Sequence, residues 1–126
     1  MKRTLQVKWE DPVQLAEAGR TMPGIEFLRA IRDGRLPAPP IARLLGFDLV
    51  EVEPGHAVFE VTPGEQHHAD RVVVQTHMPA GGADTGRLRA IGKIVHLGKR
   101  VATAEGRLED ASGKLYAHAT TTCIVL

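Results

Sequence analysis

From Gly46 to the end of the chain, Pro and Gly cut the sequence into short segments whose apolar residues recur at every second position, and this feature restricts the fold more than any other. Side chains alternate across a strand, so such a pattern builds a sheet with one apolar face. Phe47–Glu53 and His56–Thr62 flank Pro54-Gly55, whose fixed φ and permissive glycine suit a tight turn, and Ala57, Phe59 and Val61 alternate with His56, Val58 and Glu60. The C-terminal third repeats the pattern at greater length. Gly86–Leu97, Arg100–Glu109 and Lys114–Leu126 are separated by Gly98-Lys99 and by Asp110-Ala111-Ser112-Gly113. In the second of these, Ala102, Ala104 and Leu108 oppose Thr103, Glu105, Arg107 and Glu109; in the third, Leu115, Ala117, Ala119, Cys123 and Val125 oppose Tyr116, His118, Thr120 and Thr122. The expectation is a hairpin followed by a three-stranded antiparallel meander.

Helical signals precede the strands. Asp11 before Pro12 has the form of an N-cap with proline at the first helical position, and Gly19 ends a short helix. Between Gly24 and Gly34, Ile25, Phe27, Leu28 and Ile31 make an apolar stripe at helical spacing, with Glu26, Arg29, Arg32 and Asp33 between them. Leu36-Pro37-Ala38-Pro39-Pro40 forbids continuation, and Ile41–Leu45 makes one further turn up to Gly46. At 126 residues the chain is one α+β domain over residues 1–126, rich in turns, as its thirteen Gly and eight Pro require.

The remaining composition removes whole classes of function. A net charge of +1 provides no field for nucleic acid or an acidic membrane, and five aromatic residues are too few for a base-stacking platform. No apolar run reaches the ~18 residues needed to span a bilayer. The single cysteine, Cys123, has no partner for an internal disulfide, and Met1–Leu5 is followed by polar Gln6 and Lys8, so the expected location is the cytoplasm.

Several literal stretches resemble the hot-dog-fold acyl-CoA thioesterases of the phenylacetate-pathway type. They are Gly24-Ile25-Glu26-Phe27-Leu28, Pro39-Pro40-Ile41-Ala42-Arg43-Leu44-Leu45-Gly46-Phe47, Gly64-Glu65-Gln66-His67-His68, and nearly everything from Ala83-Asp84-Thr85-Gly86 to Thr122-Cys123. The resemblance implies a curved antiparallel sheet wrapped around a long central helix, with two subunits pairing to complete the active sites. It also implies an acyl-CoA substrate, coenzyme A entering as part of that substrate with no separate cofactor, and a homodimer or homotetramer.

The middle of the chain departs from that family. After a pair like His67-His68 such thioesterases continue with Asn-Pro and then His-Gly-Gly, which opens the central helix; a carboxylate follows one to two turns in. Residues 69–82 instead read Ala-Asp-Arg-Val-Val-Val-Gln-Thr-His-Met-Pro-Ala-Gly-Gly. The interval is too short for both a helix and a strand of average length. The expected fold is therefore a hot-dog-like sheet with N-terminal helices and its central helix deleted, through an internal deletion or a disrupted reading frame. Thioester hydrolysis needs an activated water and donors aimed at the developing oxyanion, which a helix N-terminus supplies. Gly81-Gly82 leads directly into a strand and reads as a turn.

Five groups of residues remain to be weighed. His68 is the one residue that the resemblance carries to the reacting centre, as a positioning group. His96, Gly98, Lys99 and Arg100 form a basic turn that in the resembling enzymes lies near the phosphates of coenzyme A, and Arg and Lys suit those oxygens; without the resemblance the same turn only keeps the sheet soluble. His67, His68, Asp70 and His77 are metal-ligand types, but neighbouring strand positions point to opposite faces, and a polar loop is the better reading, with no metal site. Val72-Val73-Val74 suits a replacement strand, and Cys123 a small apolar strand residue, not a nucleophile. Two functions follow: an acyl-CoA thioesterase-like protein, or a non-catalytic scaffold that self-associates and keeps weak affinity for coenzyme-A esters. The stripe Ile25, Phe27, Leu28 and Ile31, or a second copy, is expected to cover Ala102, Ala104 and Leu108.

Overall fold

A computed structural model describes residues 1–67 and 86–126. Three helices come first: α1 (Pro12–Arg20), α2 (Gly24–Arg32) and α3 (Pro40–Leu45). Asp11 caps α1, its Oδ1 accepting from the Val13 N–H at 2.9 Å, and Pro12 occupies the first turn where a missing donor costs nothing. In α2 the charges follow the helix dipole, with Glu26 in the first turn and Arg29 and Arg32 in the last. Gly46 ends α3 in the left-handed region, φ 73°, and its N–H closes on Ala42 O at 2.8 Å.

Five strands then form one antiparallel sheet in sequential order: β1 (Phe47–Glu53), β2 (His56–Val61), β3 (Leu88–Leu97), β4 (Val101–Glu109) and β5 (Leu115–Ile124). A single turn of 3-10 helix, Glu65–His67, follows β2. The hairpin and the meander read from the sequence are both present, and β1 has the expected bounds. Pro54-Gly55 turns β1 into β2, with Glu53 opposite His56 and Gly55 at φ 73°. The interval in which the central-helix motif is lacking, and with it Val72-Val73-Val74, lies outside the described residues.

Register fixes the faces. Phe47 and Leu49 on β1 oppose Val61 and Phe59 on β2, which oppose Leu88 and Ala90 on β3. This apolar face runs on through Leu108 of β4 and Ala117 of β5. The other face carries polar contacts between strands, an Arg89–Glu51 ion pair at 3.2 Å and His118 Nε2 at 3.3 Å from Glu105 Oε2. The tightest packing lies at β1–β3, where Val52, Val58 and Leu88 are almost wholly buried. Each such side chain is worth roughly 1.5–3 kcal/mol.

Two placements differ from the sequence expectation. Helix α2 rests on β1 instead of β4, held there as Arg29 Nε donates to Val52 O at 3.4 Å and Nη2 approaches Glu53 Oε2 at 3.5 Å. The short Pro-rich connection from α2 through α3 leads straight into β1, and so keeps the helix at that edge. Cys123 is exposed: it lies opposite Ala102 of β4 on β5, the edge strand of the described sheet, with no further strand on its outer side.

Candidate functional site

The β3–β4 connection brings His96, Gly98, Lys99 and Arg100 together, as adjacency in sequence requires. Its geometry is fixed from both sides. The Gly98 N–H donates to Val101 O at 2.8 Å, and the Val125 N–H donates to Arg100 O at the same distance, so the end of the chain pins the turn. Position 98 is tight: a Cβ there would stand 3.1 Å from Val101 O and 3.2 Å from His96 Nε2, closer than ordinary van der Waals contact. Lys99 and Arg100 are exposed, and neither makes an ion pair among the described residues. Two cations on a pinned turn can hold phosphate oxygens, Arg through its planar fork and Lys as a point charge.

Sequence reasoning missed a second feature, a cavity of about 830 Å³ between the helices and the β1–β2 end of the sheet. Phe27, Leu28 and Ile31 of α2 line one wall, and Phe47, Leu49 and Phe59 line the other. The Phe47 and Phe59 rings meet edge to face, with centroids 5.6 Å apart. The signal was present as the α2 stripe, but its partner strand depends on chain connection, which periodicity does not encode. Phe59 pairs with Ala90, seven residues along β3 from Leu97, so the cavity and the basic turn lie ~23 Å apart at a strand rise of about 3.3 Å.

His68 lies outside the described residues, as do Asp70 and His77 of the metal-type cluster. Its neighbour His67 has a structural task. Nδ1 accepts from the Gly64 N–H at 2.8 Å, which leaves Nε2 to donate to Leu45 O at 2.7 Å. The ring thereby ties the exit of β2 to the last carbonyls of α3, and both nitrogens are engaged. Among the described residues no three His, Cys, Asp or Glu side chains gather as a metal site would need, and no helix is long and apolar enough to cross a membrane.

No protein-family model and no curated protein sequence matches the chain. Solved structures do. The phenylacetic acid degradation-related protein of Ralstonia eutropha aligns at 22% identity and a TM-score of 0.59, over 78% of this chain and 98% of its own. A mutant form of the phenylacetic acid degradation protein PaaI of Thermus thermophilus aligns at 22% and 0.53, over 69% of this chain and 99% of its own. Zebra fish thioesterase superfamily member 2 aligns at 17% and 0.53, over 80% and 94%. These likenesses establish the fold: an antiparallel hot-dog sheet with N-terminal helices, as in proteins of the thioesterase superfamily.

Proposed function

We propose that the chain is an acyl-CoA thioesterase-like protein acting on a small acyl- or aryl-acyl-CoA, with coenzyme A bound at His96, Gly98, Lys99 and Arg100. The observation that carries this reading is the pinned basic turn at one end of a thioesterase-type sheet. In the reaction, water attacks the thioester carbonyl, a C–O bond forms, and the tetrahedral oxyanion collapses. The C–S bond then breaks, and the coenzyme-A sulfur leaves as thiol once it has taken a proton. His68 is the residue assigned to position the reacting group, and no cofactor beyond the substrate's own coenzyme A is required.

Self-association belongs to the same reading, as a homodimer or homotetramer. Val95, Leu97 and Ile124 are 61%, 67% and 74% exposed around the basic turn, a cluster of apolar surface that a second copy would bury.

A second reading, a scaffold that binds without turnover, is favoured by residues 69–82, which replace the His-Gly-Gly segment. Removing a single oxyanion donor costs roughly 10²–10³-fold in rate. Thiol release from phenylacetyl-CoA and from short acyl-CoAs distinguishes the two. Turnover that falls in His68→Ala and in Lys99→Ala supports the enzyme, binding of coenzyme A with no thiol release supports the scaffold, and neither binding nor release overturns both.

A further inference from the structure

The cavity between the helices and β1–β2 has a composition that selects a ligand different from the phosphates assigned to the turn. Its volume, about 830 Å³, lies within the ~300–1,000 Å³ of small-molecule sites. Its walls are apolar, and they are firm. Pro37, Pro39 and Pro40 frame one side with a fixed backbone. An apolar body seated between Phe27, Leu28, Ile31, Leu49 and Phe59 recovers dispersion contacts that those side chains otherwise lack on one side.

The charges among the lining residues are unequal. Arg32, Arg43 and Arg87 face a single carboxylate, Asp48, among the lining residues. Two of the guanidinium groups are already engaged, Arg32 with Asp33 at 2.9 Å and Arg87 with Glu60. Arg43, exposed in the last turn of α3, makes no ion pair among the described residues. An apolar cavity whose lining includes one exposed guanidinium with no ion pair among the described residues matches a ligand with an apolar body and one anionic end. A guanidinium grips a carboxylate through two parallel hydrogen bonds.

We propose that this cavity binds an apolar monocarboxylate, its alkyl or aryl body among Phe27, Leu28, Ile31 and Phe59 and its carboxylate on Arg43. The site goes beyond the acyl-CoA reading and does not depend on it. Thioester hydrolysis releases an acid of this class, but the cavity holds such an acid whether or not the chain makes it. The separation of ~23 Å along β3 keeps the site apart from the basic turn.

Calorimetric titration of the full chain with octanoate, with 1-octanol as the uncharged control and with coenzyme A in a parallel arm, tests the assignment. Octanoate is expected to bind once per chain and at least tenfold more tightly than 1-octanol. Arg43→Gln, on an exposed residue and with its fold checked by circular dichroism, brings octanoate down to the level of the alcohol, whereas Lys99→Ala leaves octanoate binding unchanged. Leu28→Trp, which fills the chamber, weakens both ligands. No octanoate binding at millimolar concentration, or equal binding by wild type and Arg43→Gln, overturns the proposal. Loss of coenzyme-A binding or of thiol release with octanoate binding intact overturns only the thioesterase reading.

Discussion

Tyr116 donates its phenolic proton to Asp110 Oδ2 at 3.1 Å, and so ties the start of the β4–β5 turn to the second residue of β5. The other carboxylate oxygen accepts from the Ser112 hydroxyl at 2.6 Å, the Ser112 N–H at 2.9 Å and the Lys114 N–H at 3.0 Å. Led by the Ser112 hydroxyl, these bonds hold the Asp110 carboxyl below its ordinary value against the opposing effect of desolvation. A depressed folded-state pKa means that the stabilisation is complete above the unfolded value of about 3.9 and is lost as pH falls through the lower folded value. Wild type is expected to be more stable than Asp110→Ala at pH 7 in urea unfolding, with the difference shrinking steadily below about pH 4. A gap between the two proteins that stays constant to pH 2.5 would contradict this.

The same contact acts in the opposite direction at high pH. Burial, then the hydrogen bond to Asp110, raises the Tyr116 phenol above its ordinary value. The stabilisation is therefore complete below about pH 10 and is lost as pH rises through the raised value. Tyr116→Phe, which has no proton to lose, should show a flatter stability profile than wild type from pH 9 to 12.

Tyr116 also shows where the sequence stops being legible. Strict alternation puts Leu115 on the apolar face and Tyr116 opposite, yet Tyr116 is 6% exposed and Leu115 44%. A register shift between Leu108 and Glu109, beside the Asp110 turn, reverses the phase there. A bulge changes which residue points inward without changing composition, so periodicity cannot reveal it. What turn residues alone determine was readable: the Asp11-Pro12 helix start, the Pro54-Gly55 hairpin and the Gly46 stop all act over a few residues. The seat of α2 on β1 and the cavity it encloses depend on contacts distant in sequence. At the basic turn, adjacency made the grouping of His96 with Lys99 and Arg100 certain, whereas the hydrogen bond from Val125 that pins it could not be foreseen.

Leu88, 1% exposed, pairs with Val61 at the buried end of β3. Leu88→Ala removes methyl groups from the tightest part of the core, and the neighbouring strands cannot close the space without shifting the ladder. Its expected cost is ~2–5 kcal/mol. Leu97→Ala, in the same strand but 67% exposed, should fall within about 0.5 kcal/mol of wild type if the protein is monomeric at the concentration used. Chemical denaturation of both variants checks the contrast, and equal losses would mean that the far end of β3 is covered by another copy.

At Gly46 the cost of a side chain is conformational alone. A Cβ there meets nothing within 4 Å, but the backbone sits at φ 73°. Gly46→Ala is expected to destabilise by roughly 1–2 kcal/mol and Gly46→Asn by less, because asparagine tolerates the left-handed region. Thermal melts of the two variants should keep that order. If Ala and Asn cost the same, α3 does not end in the left-handed turn.

Lys99 and Arg100 carry the last prediction. Their charges are exposed, so any attraction for the phosphates of coenzyme A is screened over a Debye length of ~8 Å at physiological ionic strength. Affinity for coenzyme A should fall as salt rises, and Lys99→Ala and Arg100→Ala should each weaken binding and flatten that dependence. Arg100→Lys should recover part of the loss, since the charge survives while the planar fork that meets two phosphate oxygens does not. Gly98→Ala provides a complementary test. It leaves both cations in place but crowds Val101 O and His96 Nε2, and so should weaken coenzyme A by misplacing the turn, with the salt dependence retained. Titrations at two salt concentrations read both effects. Binding that ignores salt, or that survives the loss of both cations, would place coenzyme A elsewhere on the sheet.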